Sequence, residues 1–182
     1  MHSDSSIRSI ASALPAPFLL IAAPVDGMAA RAAEASFRRM GLRPEPIAQP
    51  GGRPDVPAAF YRLHFGNVSA FAGLAPADAL DLADPLDPAT SLLAASLPPD
   101  WRHSQQIWKL TPLGVGDAVE PERLAVRLRE FFKLVVLLID LFDAAHIFWS
   151  PARLWSDAVQ FRQAVAEMGA SGMPPVLHLV AF

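Results

Sequence analysis

The sequence predicts an α+β fold, a single-domain sandwich in which helices pack on a mixed β-sheet. Three observations lead there. Apolar content is 52% against 18% charged residues, which is too apolar for a disordered chain and calls for extensive burial. The 182 residues are enough for one domain with a sizeable core. Period-2 and period-3.6 segments then alternate as β-α-β-β-α-β followed by α-β-α-β. That order gives a ferredoxin-like βαββαβ portion with a C-terminal αβαβ extension. Residues 1–14 are expected to be a flexible N-terminal tail, and 15–182 the single α+β domain.

The first strand is expected at 18–23, in "FLLIAA", and a helix at 27–40 ending at Gly41, a C-capping residue. The same region has the outline of a signal peptide. Asp4 in the would-be basic region and Pro15, Pro17 and Pro24 in the apolar run argue against it. "GLRPEPIAQPGGRPDVPAA", 41–59, reads as a long loop. In "FYRLHFGNVSAFAG", Tyr61, Leu63 and Phe65 alternate with Arg62 and His64 around a Gly66-Asn67 turn pair, which predicts a hairpin. Pro76, Pro85 and Pro88 break the next segment, leaving a short helix near 88–96. "SQQIWKLTPL" reads as a strand.

"FFKLVVLLIDLFDAAHIFW", 131–149, is the most apolar stretch and raises the question of a membrane span. As part of a helix over 122–142, it has a polar stripe of Glu122, Arg123, Arg127, Arg129, Glu130, Lys133 and Asp140, with apolar residues elsewhere. Insertion would gain roughly 4–7 kcal/mol from its aliphatic and Phe residues. Lys133, Asp140 and Asp143 would cost about 2.5–3.5 kcal/mol each near the bilayer centre. After Asp143, "AHIFW" (145–149) reads as a buried strand. Helix, tight turn and strand therefore form core, and no membrane is involved. A helix over 156–168 capped by Ser156 and ended by Gly169, then a strand in "PPVLHLVAF", close the chain.

A net charge of −3 gives no drive toward nucleic acid or anionic lipid. With no cysteine, disulfides, thiol nucleophiles and cysteine-bound metals are excluded, and a reducing, cytoplasmic setting is expected. Thirteen of the fifteen basic residues are Arg, which together with abundant Ala and Pro suggests a GC-rich bacterial genome.

The candidate ligand-binding residues are Trp149, Ser150, Arg153 and Trp155, where a strand ends in a loop before a helix. Arg153 and free helix N–H groups would hold an anion between two indole walls. In the opposing reading, Ser150-Pro151 makes a turn, Ser156 an N-cap, and both Trp rings fill the core. His64, His103, His146 and His178 form no H-x-x-H or H-x-x-x-H pair, so no metal is expected. No G-x-S-x-G, S-x-x-K, G-x-G-x-x-G or Walker loop occurs, so no cofactor is expected and no catalytic residue is assigned. Asp78, Asp81, Asp84 and Asp87 recur every three residues among prolines and read as a solvated connection. "WRHSQQIW" offers Trp101, Arg102, His103 and Trp108, a thin basis for base stacking in an acidic chain.

"SQQIWKLTPL", the long Ala/Leu/Val helix, "AHIFWSPARLWSDAVQF" and "PPVLHLVAF" together resemble the bacterial domain-of-unknown-function family 4261. The matching positions are Trp149, Ser150, Ser156 and Phe161, and the likeness spans roughly 17–182. "GLAPADALDLADP" departs from the proline-rich, aromatic stretch that the family pattern implies. The resemblance implies a fold and a bacterial cytoplasm, and no reaction. The function expected is a non-enzymatic binding or protein-interaction domain, with a homodimer or another protein as partner. The alternative is an anion-binding protein or enzyme centred on the 149–156 loop.

Overall fold

Side-chain alternation along the strands separates the protein into two packed layers on either side of one sheet. The computed structural model describes residues 16–25, 30–48, 60–93, 95–114 and 121–175. Among these the strands are β1 (Leu19–Pro24), β2 (Arg43–Pro46), β3 (Phe60–Phe65), β4 (Val68–Leu74), β5 (Ser91–Leu93), β6 (Gln105–Pro112), β7 (His146–Trp149) and β8 (Leu154–Asp157). The helices are α1 (Ala30–Arg39), α2 (Ala77–Leu82), α3 (Trp101–Ser104), α4 (Pro121–Phe142) and α5 (Ala158–Ser171). The sheet runs β2-β3-β4-β6-β1-β7-β8-β5. Every pairing is antiparallel except β5 with β8. The α+β class and mixed sheet follow the sequence expectation. Since β6 and β7 both run antiparallel to β1, they are parallel to each other, and α4 joins them in a split β-α-β crossover around β1.

Leu19 and Ile21 of β1 face one layer, with Trp108, Leu110, Ile147 and Trp149 from neighbouring strands; α1, α4 and α5 cover them. Leu20 and Ala22 face the other side with Ile107, Phe148 and Trp155, under Ala79, Ala83 and Trp101. The amphipathic pattern of α4 explains its place. Phe131, Phe132, Leu134, Val135, Leu138 and Ile139 are all buried, while Lys133 is exposed and paired with Glu130 at 2.7 Å. Asp140 bridges to Arg162 of α5 at 2.8 Å. Asp143 then takes a left-handed φ of 50°, and the Ala144 N–H returns to the Ile139 carbonyl at 3.0 Å, closing the helix. Among the described residues no helix is long and apolar enough to cross a membrane.

Gly41 caps α1 with φ 79°, and the β3–β4 hairpin turns at Gly66-Asn67 with Gly66 at φ 55°. Both match the sequence reading. Other elements correct it. The 41–59 loop contains β2, whose two prolines are tolerated because, among the described residues, it is an edge strand paired only with β3. The helix near 88–96 is absent: α2 ends before Pro85, and Asp84 and Asp87 accept bonds from the N–H groups of Leu86 and Ala89, both at 2.9 Å. These turns leave Ser91–Leu93 extended, and the free edge of β8 recruits them. The last helix starts later than expected. Ser156 belongs to β8, and Asp157 is the N-cap, accepting from Gln160 N at 2.9 Å. It also continues through Gly169 to Gly172, which caps it at φ 76°. The expected tail at 1–14, the start of the helix at 27–40 and most of the closing strand lie outside the described residues.

Candidate functional site

Trp149 and Trp155 lie on strands β7 and β8 but face opposite layers of the sheet. They therefore do not form two walls of one pocket. Trp149 packs edge-on against Phe132 of α4 at 6.0 Å. Ser150 opens a short 3-10 turn, Ser150–Ala152. Its hydroxyl accepts from the Phe18 N–H at 2.8 Å, and its own N–H donates to the Phe18 carbonyl at 3.0 Å. This double clamp fixes the entry to β1.

The structure brings Arg153 and Trp155 onto one segment. The Trp155 indole is fully buried and donates to the Ala83 carbonyl at 2.7 Å. Arg153 donates to the Leu82 carbonyl at 3.0 Å, to the Asp87 carboxylate at 2.6 Å and to Thr90 Oγ1 at 3.2 Å. Its carbonyl receives the Ser91 N–H at 2.9 Å. Together these contacts tie residues 82–91 to the end of the sheet. The Ala89 N–H and the Arg153 guanidinium hold the Asp87 carboxyl below its usual pKa, so the pair stays charged.

What these ties build is a groove of about 580 Å³, lined by Asp84–Leu86, Leu92 and Ala95–His103. Its base is Trp101, 4% exposed and packed edge-on against Trp155 at 5.3 Å. Arg102 lies 5.3 Å over the Trp101 ring and is fixed by Asp81 at 2.7 Å, Asp84 at 3.0 Å and the Leu80 carbonyl at 3.2 Å. Leu86 is 89% exposed and Leu92 51% exposed at the groove. Large apolar side chains left in water beside a concave surface are a binding feature when they adjoin one another, as scattered ones are not. Of the two aspartates that line the groove, Asp84 is held by Arg102, which leaves Asp100 as the rim carboxylate with no ion pair among the described residues.

The groove also adjoins an open sheet edge. β5 is the last strand in the order, so among the described residues one side of it is unpaired. Ser91 points its N–H toward β8, and because backbone groups alternate, Leu92 directs its N–H and C=O outward. Leu92 pairs with Trp155 in register, which puts its side chain on the groove face.

Sequence reasoning missed Leu86, Leu92 and Leu97, since nothing local marks them as neighbours. A usable signal was the Pro- and Asp-punctuated setting of isolated leucines, which denies them a helix face to bury. Trp101 and Trp108, read together as a stacking surface, point into opposite layers. Among the described residues no three His, Cys, Asp or Glu gather as a metal site. His146 sits alone on β7 with Nδ1 unpartnered; His178 lies outside the described residues. No protein-family model matches this chain, and neither do any curated protein or solved structure.

Proposed function

We propose that this protein is an interaction domain that binds an extended segment of a partner protein along the outer edge of β5. The partner strand lies against Leu92, places apolar side chains at alternate positions into the groove over Trp101, and carries a Lys or Arg that meets Asp100 at the rim. The observation that supports this reading best is the exposed pair Leu86 and Leu92 beside an unpaired strand edge and a concave apolar wall. Strand addition of this type draws affinity from main-chain hydrogen bonds and specificity from pockets that take every second side chain. A short β5 suits the role, because three residues limit indiscriminate edge pairing. Nothing in this reading needs a catalytic residue or a cofactor. The absence of cysteine fits a cytoplasmic setting for it.

A library of ten-residue peptides with alternating apolar positions and one lysine tests the reading. Selected peptides should bind the wild type saturably and lose roughly tenfold or more in affinity for Leu92→Lys, which places a charge in the contact and repels the lysine. Peptides that bind both proteins equally, or none that bind at all, would remove the groove from consideration. Self-association at the same edge would show as concentration-dependent size abolished by Leu92→Lys, and would replace the peptide by a second copy.

A further inference from the structure

Five to six strand spacings away in the sheet order, about 24–29 Å at roughly 4.8 Å each, the β3–β4 hairpin carries a second depression of about 310 Å³. Arg62, His64, Asn67, Ser69, Gly114 and Arg127 line it. The elements converge for reasons visible in the pairing. His64 and Ser69 are direct cross-strand partners, and His64 Nδ1 lies 2.8 Å from Ser69 Oγ. Arg127 reaches in from α4 and donates to the Gly114 carbonyl. Gly114 has φ 68°, the left-handed region that favours glycine, and a Cβ there would meet the movable guanidinium of Arg127. Two guanidiniums, an imidazole, a hydroxyl and a side-chain amide thus face one concavity.

Glu45, on the edge strand β2, is the carboxylate set against them. Its Oε2 is 3.7 Å from Arg62, and its Oε1 is 3.1 Å from His64 Nε2. The second contact is within ion-pair range, yet Nε2 makes no aligned hydrogen bond. Glu130, near Gly66, is taken by Lys133. The Glu45 and Arg62 side chains are 58% and 45% exposed, and ion pairs so open to water are weak and exchangeable. Among the described residues Glu45 pairs with Arg62 and no carboxylate pairs with Arg127, so two guanidiniums share one exchangeable ion pair, an arrangement suited to bidentate recognition of an oxyanion.

We propose that this depression binds the phosphate group of a small ligand, and that Glu45 occupies the cationic groups from within when the ligand is absent. Arg62 and Arg127 supply the charge; Asn67 and Ser69 supply neutral donors. The ligand displaces Glu45 from Arg62, so Glu45 acts as a built-in competitor. The site is independent of the β5 groove.

Titration with inorganic phosphate, against chloride at matched ionic strength and followed by amide chemical shifts, tests this. Saturable shifts confined to residues 64–69 and 113–114 are expected. Glu45→Gln should tighten binding by roughly two- to fivefold and Arg62→Gln weaken it by a similar factor, the worth of one exposed ion pair. Both substitutions lie on exposed side chains, so the fold survives them. Arg153→Ala serves as a control for general anion effects and should leave the shifts unchanged. A phenyl phosphate arm separates sources: tighter binding than inorganic phosphate assigns the group to an organic ligand, equal binding to the free ion. Linear, non-saturating shifts, or a Glu45→Gln protein no tighter than wild type, would overturn the proposal.

Discussion

Arg153 adopts φ 47°, a left-handed conformation uncommon outside glycine, and it is held there by what its two ends do. The guanidinium gathers the Leu82 carbonyl, Asp87 and Thr90, while the backbone carbonyl starts the pairing of β5. Arg153→Ala should therefore cost roughly 1–3 kcal/mol, the range for losing hydrogen bonds that involve a charged group, as read by urea denaturation. Amide exchange in 84–93 should accelerate more than elsewhere. A stability change near zero would make the clamp incidental. His146 gives a second test at this scale. Burial holds its imidazole below the usual value, with Asp157 pulling the other way. The folded pKa is then the lower one, so the unfolded chain takes up the proton first as pH falls. Its contribution to stability is fully present above the unfolded value of 6.5. It is lost on acidification and levels off below the folded value. His146→Gln should flatten the stability profile across that window; an unchanged slope would show that His146 is freely hydrated.

At the scale of elements, α4 is the clearest case of structure legible in sequence. Its charges fall on one stripe and everything else is apolar, so both its helicity and its buried faces could be read directly. Leu138 is fully buried in the core that α4 shares with α1, α5 and the sheet. Leu138→Ala should cost roughly 2–5 kcal/mol through lost packing and a residual cavity. Lys133→Ala, on the exposed stripe, should change stability by well under about 1 kcal/mol. Thermal or urea unfolding of the two variants checks both, and equal losses would mean the helix is turned the wrong way. The hairpin was legible for a similar local reason, the Gly66-Asn67 turn between alternating runs. β2 and β5 were not legible. Each is too short to show a period, Pro44 and Pro46 carry loop chemistry, and both segments become strands only because a neighbouring strand offers an unpaired edge. The N-cap of α5 was displaced by one residue for a smaller reason. Ser156 and Asp157 both cap well, and the register of β8 against β7 uses Ser156 inside the sheet.

For the whole molecule, the sheet separates roles by face and by end. One face, under α1, α4 and α5, holds the larger core. The other is covered by short helices and turns, and it is there, beside β5, that apolar surface stays open. The binding candidates inferred from sequence centred on the 149–156 loop, and none of the four lines the groove; Arg153 and Trp155 stand behind its wall, Trp155 against Trp101 and Arg153 tied to Leu82, Asp87 and Thr90. Trp149 faces the opposite layer because successive strand residues alternate, and that alternation could be applied only once 154–157 was known to be a strand. The groove itself depends on residues 84–93 and 95–103 packing around the Trp101 ring, a non-local arrangement that no spacing in the sequence encodes.

The most direct measurement of the central claim is hydrogen–deuterium exchange at the Leu92 amide, with and without a peptide selected against the groove. Leu92 points its N–H to the open side of β5, so the account predicts fast exchange in the free protein and strong slowing in the complex. The Ser91 amide, already bonded to the Arg153 carbonyl, should be protected in both. Saturating peptide that leaves Leu92 exchange unchanged, or protects only residues on the β2–β4 side of the sheet, would contradict strand addition at β5.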